Sequence, residues 1–148
     1  MAAVHKSINR IYGILLFFIT LTGFAQMPIF KRYYIADIPG FGWLAQYYVT
    51  HVMHYIFASL LIALCCYGVL DFVLSRRSLT QISVSGLVKG MILLGLMVSG
   101  GLMVTRNLPG VYFSHILIYA MNISHIGLCM ALITASFYTL VKKKAWLK

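Results

Sequence analysis

The sequence predicts an all-α integral membrane protein, a bundle of four transmembrane helices, and three observations carry that prediction. Hydrophobic residues make up 61% of the 148 and charged residues only 9%, where a soluble domain carries about 25% charged. Four apolar runs, residues 11–29, 44–74, 87–104 and 111–141, each supply the ~20 residues a helix needs to cross a ~30 Å hydrocarbon core. Twelve Lys and Arg stand against two acids, Asp37 and Asp71, and the cations gather at the ends of the runs. In a soluble chain a net charge of +10 would point to nucleic acid. Here it reads as a topology signal and as contact with anionic lipid, since no basic stripe with exposed aromatics follows a phosphate backbone.

The first run follows Lys6 and Arg10 and resembles a secretory leader in outline. It is long, lacks an Ala-x-Ala-like site and is followed by three more spans, so it is read as a retained helix. The second and fourth runs exceed the bilayer thickness and must tilt or project. The connections 30–43, 75–86 and 105–110 are short and leave no room for a catalytic head, so 1–148 is one membrane domain. Lys6, Arg10, Arg76, Arg77, Lys89, Lys142, Lys143, Lys144 and Lys148 lie on one side; Lys31, Arg32 and Arg106 lie on the other. The positive-inside rule then puts both termini in the cytoplasm. Tyr33, Tyr34, Trp43, Tyr47, Tyr48 and Tyr112 form an outer aromatic belt. Cys65, Cys66 and Cys129 lie inside apolar runs without a C-x-x-C spacing and read as small packing residues.

A weak repeat suggests a duplicated hairpin. Ile14-Leu15-Leu16 and Thr22-Gly23 in the first run match Ile92-Leu93-Leu94 and Gly100-Gly101 in the third. Tyr48-Val49-Thr50-His51-x-x-x-Tyr55 matches Tyr112-Phe113-Ser114-His115-x-x-x-Tyr119, and each follows a Pro-Gly, at Pro39-Gly40 and Pro109-Gly110.

Five histidines carry the chemistry: His5, His51, His54, His115 and His125. Imidazole in hydrocarbon is costly unless paired, ligated or wet, so such residues point to function. A b-type haem takes two axial imidazoles from facing helices, small residues where the ring edge passes, and cations near its propionates. His51 or His54 lies at the same outer depth as His115, glycines are plentiful, and Arg32 and Arg106 stand on the outer rim for the propionates. His125 lies ten residues beyond His115, about 15 Å deeper. One haem or two is compatible with this spacing. An outer haem on the second and fourth runs could be joined by an inner one through His125 and His5, or a single haem could use His54 and His125. The plainer readings are interfacial snorkelling for His51 and His115 and solvation for His5. A zinc or copper site of His51, His54 and His115 lacks a carboxylate or thiol at that level.

These residues resemble the b-type cytochrome membrane subunits of respiratory oxidoreductases, in particular the formate dehydrogenase gamma-like family. The resemblance rests on His5 with Thr22-Gly23, His51 and His54, and His115 with His125, over nearly the whole chain. It implies haem b held by His54 or His51 with His115, and by His5 with His125. It further implies electron relay between an iron–sulfur or multihaem partner subunit and the quinone pool of a bacterial or archaeal cytoplasmic membrane. The family's two ligands on the fourth helix lie further apart than His115 and His125. Quinone would sit near the cytoplasmic side, where Asp71 could exchange protons and Asn122 could hydrogen-bond. An ion pair of Asp71 with Arg76 or Lys89 is the plainer alternative. Two other functions compete: a cofactor-free anchor or assembly subunit, and a small four-helix transporter, which would want a central carboxylate that the chain lacks.

Overall fold

The computed structural model describes residues 2–27, 29–75, 81–144 and 146, with the backbone alone for 2–6. The chain is all-α, with no β-strand among the described residues. Its helices are α1 (Ala2–Ala25), the single turn α2 (Ile29–Arg32), α3 (Tyr47–Leu74), α4 (Val84–Arg106) and α5 (His115–Val141). Four stretches are long and apolar enough to cross a membrane: Ser7–Ala25 within α1, and the whole of α3, α4 and α5. The 28 residues of α3 extend about 42 Å, more than the hydrocarbon core requires.

The chain forms two compact units, 1–75 and 76–148, each a helical hairpin. In the first, α1 packs on α3; in the second, α4 packs on α5. Side-chain capping explains where the helices start. Ser83 Oγ accepts the Gly86 N–H at 3.0 Å and Ser114 Oγ accepts the Leu117 N–H at 3.3 Å. Hence α4 begins three residues earlier than its apolar run and α5 four residues later, with 111–114 extended before the cap. The α5 helix closes in a Schellman turn: Lys144 N–H reaches Thr139 O at 2.9 Å, Lys143 N–H reaches Leu140 O at 3.2 Å, and Lys143 has φ 48°.

The two inter-helix turns are alike. Phe41 N–H bonds Ile38 O at 3.0 Å and Val111 N–H bonds Leu108 O at 3.3 Å, with Gly40 at φ 90° and Gly110 at φ 80°. Proline followed by a positive-φ glycine gives a type II turn, which only glycine adopts without strain. Gly110→Ala should therefore destabilise its hairpin by about 1 kcal/mol. The effect should appear as a lower unfolding temperature in detergent, whereas Gly13→Ala, inside α1 with nothing near its added Cβ, should not lower it.

Each hairpin has a thin core. Leu15, Thr22, Ala25, Leu44, Thr50 and Leu61 are buried in the first; Lys89, Leu93, Ser99, Met121, Leu132 and Thr139 in the second. Phe18 stacks on Phe57 with ring centroids 5.0 Å apart, and a Leu128 methyl fills the place a side chain at Gly95 would take. The other faces stay open and apolar: Phe17, Leu74, Val84, Ile116 and Leu140 are all more than half exposed. Such surface is at home in lipid, where small residues and hydrogen bonds rather than hydrophobic burial hold helices together.

Candidate functional site

In both hairpins a histidine of one helix meets a hydroxyl of the other. His54 Nδ1 lies 3.2 Å from Thr22 Oγ1 and 3.1 Å from the Ile19 carbonyl oxygen. His125 Nδ1 lies 2.8 Å from Ser99 Oγ. The glycine after each hydroxyl lets the imidazole approach the opposite helix. A Cβ on Gly23 would fall 3.2 Å from His54 Cε1, and one on Gly100 would fall 3.4 Å from His125 Cε1.

Ser99 has one proton and lies 2.8 Å from both the Gly95 carbonyl and His125 Nδ1, so the His125 proton is on Nδ1 when Ser99 donates to the carbonyl. At His54 the Ile19 carbonyl, 3.1 Å away, can only accept, which puts the ring proton on Nδ1. A metal-bound histidine has this arrangement, its outer N–H anchored to a fixed acceptor.

These contacts relate the two hairpins in a different register from the one the sequence suggests. Thr22-Gly23 corresponds to Ser99-Gly100, and His54 corresponds to His125 rather than His51 to His115. The neighbours agree. Thr50 and Met121, four residues before each histidine, are buried, as are Leu61 and Leu132, seven residues after. The second hairpin has a shorter connection, its hydroxyl and histidine 26 residues apart against 32 in the first.

The remaining candidates are placed differently. His51 stands at the rim of the first hairpin, its Nδ1 3.0 Å from Gln26 Oε1. It stacks on Tyr47 at 5.2 Å and meets Tyr55 at 4.4 Å between ring centroids. Beside it, Gln26, Lys31, Leu44 and Tyr47 help to line a cleft of about 220 Å³. His115 is the exposed first residue of α5. Arg32 ends α2 and is exposed; Arg106 ends α4 and is half-buried. Asp71, three residues before the end of α3, and Asn122, three before His125, are half-buried. The His5 side chain lies outside the described residues, as does Arg76, one of the two partners expected for Asp71. The other, Lys89, is buried and donates to Thr139 Oγ1 at 3.2 Å. Cys65 and Cys129 are half-buried, Cys66 is exposed, and all three are free thiols. Among the described residues no three His, Cys, Asp or Glu side chains cluster as a metal site would.

Two participants were missed in the sequence. Ser99 was passed over because Gly100-Gly101 drew the alignment one residue along. Lys89 read as a rim charge, although its position five residues inside α4 was a signal that it faces the helix pair. Family models, curated proteins and solved structures all give no match to this chain.

Proposed function

We propose that the chain is a haem b-binding membrane subunit that relays electrons between a partner redox subunit, iron–sulfur or cytochrome, and the quinone pool of a bacterial or archaeal cytoplasmic membrane. One observation carries the reading: in both hairpins a membrane-embedded histidine has its Nδ1 engaged by a hydroxyl of the facing helix, the outer contact that an imidazole has when its Nε2 ligates iron. A packed histidine gains the hydrogen bond alone, whereas an iron ligand also needs it to orient the ring and raise its basicity. The donor chemistry of each ring suits haem iron, and His54 and His125 are the ligands we assign, each within its own hairpin. Haem, when bound, supplies one-electron redox chemistry in a medium of low dielectric.

Other residues of each hairpin position and charge its own histidine. Thr22, Ile19 and Ser99 hold the rings, and Gly23 and Gly100 give them room. Arg32 and Arg106 are the cations offered to propionates. Asp71 is the acid nearest the cytoplasmic end of α3 and the residue assigned to proton exchange with quinone, with Asn122 as an amide donor. No acid lies at mid-span, which argues against a proton-coupled transporter.

The test is electron exchange with quinol. Purified protein, oxidised and then mixed with a short-chain menaquinol or ubiquinol, should develop the reduced b-type spectrum within seconds. Asp71→Asn should slow that reduction while leaving dithionite reduction complete. Haem that dithionite reduces and no quinol does would remove the quinone half of the proposal.

A further inference from the structure

Lys89 is a charge without a counter-charge in its own hairpin. It is 4% exposed, deeper than any other cation whose side chain is described. Residues 76–148 contain no Asp or Glu. Its ammonium donates to Thr139 Oγ1 at 3.2 Å and lies 4.2 Å from the centre of the Trp146 ring. Thr139 spends its own proton on the Ser136 carbonyl at 3.0 Å, so it serves Lys89 only as an acceptor. One neutral hydroxyl and one ring face leave a three-donor cation under-compensated, and burying such a charge unpaired is costly.

The cover over it is built into the fold. The Schellman turn at Lys142–Lys144 sends the chain back across the open end of the hairpin. There the Trp146 carbonyl accepts the Ser83 N–H at 3.0 Å. Gly86 makes room for that carbonyl, which any Cβ would strike. Lys142, Lys143 and Lys144 are exposed on the same turn, with Lys144 against the Tyr138 ring and hydroxyl.

We propose that the open end of the second hairpin is a binding site for the phosphate of an anionic phospholipid, with Lys89 as its buried cation and Trp146 as a displaceable cover. Lipid is favoured by place and by charge. The site lies where an apolar span ends, at the level of headgroups, with three further lysines beside it and no Asp or Glu in its own hairpin to repel phosphate. Trp is itself suited to the interface and can move there when it leaves the lysine. This proposal is independent of the haem reading.

The full chain with Trp43→Phe, which leaves Trp146 as the sole tryptophan, is placed in nanodiscs of phosphatidylcholine alone or with phosphatidylglycerol. Phosphatidylglycerol should shift Trp146 emission saturably, and native mass spectrometry should find it retained over phosphatidylcholine. Lys89→Met should abolish the emission response and cut the retention preference about five-fold or more. Gly86→Ala, which ejects the tail without touching the lysine, should retain phosphatidylglycerol at least as well as the parent. Equal emission in the two discs, or a full response in Lys89→Met, would overturn the proposal. Loss of retention in Gly86→Ala would refute the cover, and an equal response to inorganic phosphate in phosphatidylcholine discs would refute lipid as the source.

Discussion

His125→Ala is expected to yield a folded, membrane-inserted protein that has lost haem. The substitution removes the proposed iron ligand but strands no hydrogen-bond donor, because the Ser99 hydroxyl has the Gly95 carbonyl at 2.8 Å. The structural cost is the space left by a half-buried ring beside Gly100, about 2–3 kcal/mol at most for a site so open. Haem content by pyridine haemochrome should fall by at least one equivalent per chain while the detergent elution profile stays that of the parent. His54→Ala should behave alike, with Thr22 still bonded to Phe18 at 2.7 Å. His115→Ala, at an exposed helix start, should keep its haem. A cofactor-free anchor predicts that all three variants are silent. A full haem complement in His125→Ala would rule out that residue as a ligand.

The second large effect separates a positioning role from a ligand role. An imidazole that ligates through Nε2 carries its proton on Nδ1, and Ser99→Ala would leave that His125 proton without the hydroxyl now 2.8 Å away. Loss of such an outer partner costs metal sites about 10–100-fold in affinity. The same change makes the imidazole a weaker donor to iron, so the haem midpoint potential should rise. Thr22→Val should do less of both, because His54 keeps the Ile19 carbonyl at 3.1 Å as a second acceptor. Ser99→Thr should restore the parent potential. An asymmetry in this order, read by potentiometric titration, would not follow from a packing role. Equal effects at the two positions would contradict the tautomer argument.

Four spans and the two Pro-Gly turns could be read from the sequence, whereas it kept His115 as a ligand candidate equal to His54 and His125. Apolar length is sufficient to find a membrane helix, and the glycine of a type II turn has few substitutes. Which face of each span packs was not readable, for a physical reason. In lipid both the packed and the lipid-facing sides are apolar, so Leu15 and Phe17 look alike in sequence although one is buried and the other 61% exposed. Only the polar residues mark the seam, and they do so through hydroxyls such as Thr22, Thr50, Ser99 and Thr139 as much as through histidines. Weighting Ser and Thr as seam markers would have set the repeat at Thr22-Gly23 and Ser99-Gly100. The helix starts moved for a similar reason. Ser83 and Ser114 cap their helices by hydrogen bonding, which hydropathy does not register.

The most direct test of the central claim is the dithionite-reduced minus oxidised visible spectrum of the purified chain, taken beside those of His54→Ala and His125→Ala. A low-spin b-type α-band in the parent, diminished or lost in both variants, is the expected result. A parent protein with no such band, expressed with haem in ample supply, would contradict haem binding altogether.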